Sequence, residues 1–234
     1  MKKDSFKNEE EINLLLFSSL YYQQKWATKY VDSETYKSLF YIDNINNKEV
    51  DFMKHSYYLD YYYDYDNYIS FCDFYSNYYS IQYIIPKSLN DSILELVKNK
   101  NFLLDNDTNK INNRTFITLS VPKFKIKNEI NFIPILKNLG LEKIFDKDYS
   151  TLNNPFIIKE GYNYYLNKVI QKNRIELNED GTIIKSISYA EMMVGSSNPG
   201  SGFEIKLNQP FIYIIRDRNK LPIFIGYIKE PNYD

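Results

Sequence analysis

Apolar residues along this chain recur mostly in short runs bounded by turn formers, the pattern of strands, and only two segments carry helical spacing. INLLLFSSLYY, Ile12 to Tyr22, is apolar at nearly every position without a helical stripe, which predicts a central strand covered on both faces. IQYIIP predicts a strand ending at Pro86, and FITLSVPKFKIK alternates around Pro122 as two strand-like pieces. VIQKNRIEL puts Val169, Gln171, Asn173, Ile175 and Leu177 on one face and Ile170, Lys172, Arg174 and Glu176 on the other, a strand whose inner face carries two amides. FEIKLNQPFIYII and IFIGYI, separated by RDRNKLP, predict a C-terminal hairpin with a long turn.

The helical spacing lies in SLNDSILELVKNK, with Ile93, Leu94, Leu96 and Val97 behind an Asp91 cap, and in a second helix carrying Ile135, Leu136 and Leu139 and ending at Gly140. Tyrosines interleaved with Asp, Asn and Ser from Tyr57 to Tyr79 predict several short strands. Leu104 to Arg114 is polar and Asn-rich, a loop. The class is mixed, with sheet dominant.

Composition removes more functions than it supplies. With 44% hydrophobic and 17% aromatic residues, 234 residues are enough for a sizeable core. A formal net charge of -1 gives no global field to recruit nucleic acid or an anionic membrane, and no Lys or Arg interrupts Leu59 to Ile85, as a base-stacking groove would need. One cysteine, Cys72, and one histidine, His55, exclude an intramolecular disulfide and a metal site of several Cys or His ligands. As a nucleophile and base they are weaker candidates than as a packed thiol and an incidental histidine. Phosphate-binding glycine loops and GxSxG elbows are absent from the sequence, and nothing marks an enzyme.

IKLNQPFIYII, Ile205 to Ile215, carries a far more specific signal: it resembles the serpin signature, an apolar strand entering Asn-Gln-Pro-Phe and leaving as another. The likeness continues in serpin order through PIFIGYIKEP, and backwards through LNEDGT, LKNLGLEKIFDKDYSTL, VPKFKI and LLLFSSLYYQQKWATKY. It covers Ile12 to Pro231, so residues 1–234 are expected to form one partial serpin-like domain. The resemblance implies an α+β fold of mixed and antiparallel sheets with a few helices, and an exposed reactive-centre loop at residues 179–203. It begins where the third strand of the family's main sheet begins, so the expectation is an N-terminally truncated member, without most of the helices and the first two strands of that sheet.

In serpins the loop is offered to a protease as substrate and, once cut, adds to the main sheet as a strand. Glu179, Asp180, Gly181 and Thr182 match the hinge of that loop, and Trp26 and Lys123 match residues at the sheet's opening region, where Glu179 is expected to pair with Lys123. Family spacing places the scissile bond near Gly195-Ser196, with Val194, Met193 and Met192 as further candidates. The implied function is suicide-substrate inhibition of a serine or cysteine endopeptidase, elastase-like or subtilisin-like, rather than enzymatic catalysis. Neither cofactor nor metal is expected.

The chain also departs from the family. Ile183, Ile184, Lys185, Ser186 and Ile187 stand where inhibitory members carry small residues, which slows insertion; if Thr182 points inward, so do Ile184, Ser186 and Ser188. Gln171 and Ser18 replace the family's histidine and asparagine at the middle of the main sheet. A non-inhibitory serpin-fold binding protein or inactive fragment is therefore the alternative, with self-association through an exposed sheet edge. A tyrosine-rich ligand-binding domain comes third. Lacking a signal peptide or transmembrane run, the chain as written reads as cytoplasmic, and an extracellular full-length parent is compatible.

Overall fold

Strand alternation builds most of what the computed structural model shows. It describes residues 14–19, 23–59, 62–89, 93–98, 115–150, 152, 164–182 and 203–233. Two compact units are present, Met1–Tyr21 with Lys127–Arg174, and Tyr22–Ile126 with Ile175–Asp234.

The second unit holds the large core. One of its sheets contains β3 (Tyr36–Tyr41), β4 (Asn47–Leu59), β8 (Thr115–Pro122) and β12 (Phe203–Lys206), in the order β12-β8-β4-β3, with β12 parallel to β8 and the other pairs antiparallel. The other is antiparallel throughout, with β5 (Tyr62–Asp64), β6 (Tyr68–Phe74), β7 (Ser80–Pro86), β13 (Phe211–Arg216) and β14 (Pro222–Ile228) in the order β14-β13-β7-β6-β5. Alternate residues of both sheets, among them Phe52, Leu119 and Val121 from one and Phe71, Tyr83, Phe211, Tyr213 and Ile215 from the other, enter one buried cluster. Each large side chain buried this way contributes about 1.5–3 kcal/mol.

The intervening residues Ile84, Ile212 and Ile214 enter a second cluster with Tyr68 and with Leu96 of helix α1 (Ile93–Lys98). With both faces covered, β13 is buried at every position, which explains its uninterrupted apolar run. Its last residue, Arg216, lies inside because Nε donates to Gln82 Oε1 at 3.0 Å and Nη1 to Lys220 O at 3.0 Å, while Gln82 Nε2 donates to Ser70 Oγ at 2.8 Å. The expected C-terminal hairpin is present, and Asp217 Oδ1 closes its turn by accepting from the backbone N–H of Asn219 and Leu221, both at 2.9 Å.

The first unit is differently built. β1 (Leu15–Ser19) runs parallel to the start of β10 (Lys168–Asn178), from Leu15 opposite Lys168 to Ser19 opposite Lys172. β9 (Phe124–Asn131) also pairs with β10, and Lys172 Nζ meets Glu129 Oε2 at 3.0 Å. Helix α2 (Ile133–Asn138) ends as expected at Gly140, whose φ of 89° is a left-handed terminus, although Ile135 and Leu139 of its apolar side are exposed. Among the described residues, Val169 is the unit's one buried hydrophobic side chain.

The central strand expected at Ile12 to Tyr22 is corrected here. β1 is the end strand of its sheet, and the consecutive Leu16 and Phe17, on opposite faces, are 55% and 41% exposed. Its apolar pattern calls for cover on both faces, and among the described residues neither face has it. Asp91 and the loop at Leu104 to Arg114 lie outside the described residues.

Gly226 faces Tyr213 across β13 and β14, and a Cβ there would overlap the hydroxyl end of the buried Tyr213 ring. Gly226→Ala is expected to lower unfolding free energy by about 1–3 kcal/mol, read as a drop in the urea midpoint at unchanged m.

Candidate functional site

β10 leaves the core through a tight turn. Leu177, buried, pairs with Thr182, and Asn178 pairs with Gly181, so Glu179 and Asp180 form a two-residue connection into β11 (Gly181–Thr182). Asn178 Oδ1 accepts the Asp180 N–H at 3.1 Å, an Asx bond that holds the reversal. β11 then lies between β10 and β2 (Gln24–Lys25), antiparallel to both. Gly181 has φ of 133°, and a Cβ on it would strike the backbone of Gln24 and Lys25, so only glycine fits.

Trp26 and Tyr75 close over this turn. Trp26 Nε1 donates to Asn178 O at 2.8 Å, and its indole stacks on Tyr75 with centroids 4.8 Å apart. Tyr75 and Thr182 share a hydroxyl–hydroxyl hydrogen bond of 2.6 Å, which leaves Thr182 only 1% exposed. The backbone holds Trp26 in place: Ala27 N donates to Phe74 O at 2.8 Å and Ser76 N to Lys25 O at 2.9 Å. Tyr30 packs edge-on to Trp26 at 5.2 Å.

Charge is concentrated on Glu179. Oε2 lies 3.1 Å from Lys123 Nζ, and Oε1 accepts from Thr35 Oγ1 at 2.6 Å. Burial by itself would raise the carboxyl pKa. The Thr35 bond, a backbone bond, and the hydrogen bond and charge of Lys123 outweigh it and hold the pKa below its ordinary value. Lys123 also sits 4.5 Å above the Tyr233 ring, and the Tyr233 hydroxyl joins Asn178 Nδ2 at 3.1 Å to Glu176 Oε1 at 3.2 Å. Asp180, by contrast, is exposed and meets Lys29 at 3.6 Å.

The arrangement is a buried anchor for the first residues of the segment that follows. Among the described residues no three His, Cys, Asp or Glu side chains gather to hold a metal. Burial pushes the Cys72 thiol up to about 12, against a smaller lowering by Arg216, so it is a poor nucleophile. His55, expected to be incidental, is instead buried against Tyr30, Tyr57 and Asp73.

A family model described as Serpin (serine protease inhibitor) matches residues 3–231. The chain belongs to the serpin family. It is similar to human Serpin B5, 26% identical over 242 residues that take in 95% of this chain and 59% of that protein, and to Plasminogen activator inhibitor 1 of Sus scrofa, 25% identical over 93% of this chain and 54% of that one. Among solved structures, the thermophilic serpin tengpin in its native state superposes with a TM-score of 0.76 at 28% identity, over 92% of this chain and 55% of that one. The chain thus spans between half and three-fifths of the length of these serpins.

Of the residues matched to serpin positions, Trp26, Lys123, Glu179, Gly181 and Thr182 converge, and Asp180 sits at the turn's outer side. Thr35, Tyr75, Asn178 and Tyr233 complete the cluster and were not anticipated; Tyr75 lay in a tyrosine-rich run that gave no ground for choosing one ring over another. Ser18 and Gln171, which replace the serpin asparagine and histidine, stand directly opposite each other on β1 and β10. Gln171 Nε2 turns along its own strand and donates to Asn173 Oδ1 at 3.0 Å, an i, i+2 bond between the two amides of that face. The scissile-bond candidates Met193, Val194, Gly195 and Ser196 lie outside the described residues, as does the segment from Ile183 to Gly202.

Because the Glu179 pKa is depressed, its contribution to stability is complete above the ordinary carboxylate value of about 4.5 and is lost as pH falls through the folded-state value. Glu179→Gln is expected to cost about 1.5–3 kcal/mol at neutral pH, the worth of hydrogen bonds to a charged group. The gap between the two proteins should narrow on urea denaturation near about pH 3.

Proposed function

We propose that this chain is built as a serpin-type protease inhibitor whose reactive-centre loop spans residues 179–203, with Glu179, Asp180, Gly181 and Thr182 as its hinge. The observation that carries the reading is β11: the first two residues past the turn already lie as a strand beside β10, with Thr182 buried. On this reading, β11 is the start of strand addition and supplies its register. Continued along β10, that register sets Ile184 opposite Ile175, Ser186 opposite Asn173 and Ser188 opposite Gln171, on the same side as the buried pair Leu177 and Thr182. The inward hydroxyls would then meet the two amides that now share one hydrogen bond.

Two features oppose insertion. From Ile183 to Ser188, Ile184 is the one bulky inward residue, and overpacking costs roughly 1–3 kcal/mol where no space exists. Lys185 would stand opposite Arg174, a like-charge pair of a kind that costs about 0.2–1 kcal/mol. Of the described pairings, Ser19 with Lys172 is the first an advancing strand would displace, when Ile187 reaches it. The target protease is read as elastase-like or subtilisin-like from the small and apolar residues Met193 to Ser196. Incubation with a stoichiometric amount of pancreatic elastase or subtilisin is expected to give a detergent-stable complex, and Ile184→Ala should raise the fraction complexed relative to the fraction cleaved. Cleavage without any stable complex, in both proteins, would show that the chain does not inhibit these enzymes.

A second reading has its own observation. β1 reads LLFSS, without the charge or proline that protects a sheet edge, and it is an end strand with both faces exposed. A non-inhibitory serpin-fold protein that associates with a second copy along β1 accounts for this. Light scattering at micromolar concentration should then show a dimer or larger species, and Leu16→Lys with Phe17→Lys should return it to monomer; a stable monomer from the unaltered chain contradicts association.

A further inference from the structure

One buried titratable pair has no part in the inhibitory reading. His55 on β4 and Asp73 on β6 are both almost fully buried, with His55 Nε2 3.2 Å from Asp73 Oδ2. The contact lacks hydrogen-bond alignment: neither imidazole nitrogen has a hydrogen-bond partner, although both are inaccessible. The same Oδ2 accepts the hydroxyl of Tyr30 at 3.0 Å. The imidazole lies between two rings, 3.9 Å from Tyr30 and 4.8 Å from Tyr57. Buried polar atoms nearly always have a hydrogen-bond partner, so an imidazole beside a carboxylate but not bonded to it calls for an explanation.

We propose that His55 is a proton-sensing group whose charge state is relayed through Tyr30 and Trp26 to the turn at Asn178 and Thr182. A proton taken from solvent makes both ring nitrogens donors and turns the contact with Asp73 into a charge-assisted bond. The imidazolium then competes with Tyr30 for Oδ2. Because the His55 ring stacks on Tyr30, it cannot reorient without moving that ring, and Tyr30 bears edge-on against Trp26. Trp26 holds Asn178 O directly and reaches Thr182 through Tyr75.

Among the described residues, the ionisable groups around the pair include Tyr57 on β4 itself, Tyr83 on β7, Tyr75 beyond the end of β6, and Cys72, which precedes Asp73 on β6 and also feels the charges of Arg216 and Lys220. Tyr30 is held neutral at these pH values, because burial and then Asp73 push its pKa well up. No tyrosine charge therefore competes with His55 in the relay. The relay rests on the hinge reading for its consequence in function and not for its existence.

Trp26 is the chain's one tryptophan and His55 its one histidine, so the signal and its source are each unique. Trp26 fluorescence followed from about pH 8 to about pH 5 is expected to show a single-proton transition while far-ultraviolet circular dichroism stays constant. His55→Gln should abolish it, and Tyr30→Phe, which frees Oδ2 for the imidazolium, should move its midpoint to higher pH. A flat profile, a transition that survives in His55→Gln, or one that merely accompanies loss of secondary structure overturns the relay. The measurement uses no protease, so a failed relay leaves the complex-formation result standing, and the reverse holds equally.

Discussion

The region around the turn depends on the placement of Trp26. Its indole N–H ties down the carbonyl of Asn178, the last residue of β10, while Tyr75 stacks on the ring and Tyr30 packs edge-on to it. Tyr75 in turn closes on the Thr182 hydroxyl. Without the indole, the turn would lose a direct bond and the platform on which Tyr75 stacks. The backbone bonds of Ala27 and Ser76 fix that indole from both sides, so its position is set by sheet geometry rather than by side-chain packing alone.

The charged and apolar parts of this cluster play different parts. Glu179 and Lys123 are partly shielded, and Thr35 saturates the second carboxylate oxygen, so the pair is held where an exposed pair such as Lys29 and Asp180 would contribute little. The aromatic layer excludes water from the hydroxyl bond between Tyr75 and Thr182 and makes it stronger than the same bond at the surface. Together they define a turn after which Thr182 is already desolvated. On the proposed reading of the following segment as an inserting loop, the remaining cost would be that of its own side chains, Ile184 first among them.

How much of this could be read from the sequence follows from the range of each interaction. Strands announced themselves through local alternation, and Glu179, Gly181, Thr182, Lys123 and Trp26 through motifs that resemble serpin segments. Thr35 and Glu179 meet across 144 positions of chain, and neither has a local pattern that names the other. Tyr75 was hidden for the opposite reason, since one of 24 tyrosines in a chain this rich in them carries no distinguishing signal. His55 and Asp73 lie on strands that are not hydrogen-bonded neighbours, and only the packing of two sheets brings them together. β1 shows a further limit: an apolar run states that a strand needs cover on both faces, and it does not state what supplies that cover.

The two units are packed differently. The unit carrying β11 has the large aromatic core, so the anchor for Gly181 and Thr182 is rigid and resists local opening. In the other, β1 is joined to β10 by a five-residue parallel ladder, and the described residues bury little besides Val169. Separating those strands therefore forfeits backbone hydrogen bonds and little packing, and an added strand returns hydrogen bonds of the same kind on both of its sides. On the proposed reading of residues 179–203 as a reactive-centre loop, the balance would then be decided by the incoming side chains, and the isoleucines after Thr182 would weigh more on insertion than the ladder that opens to receive them.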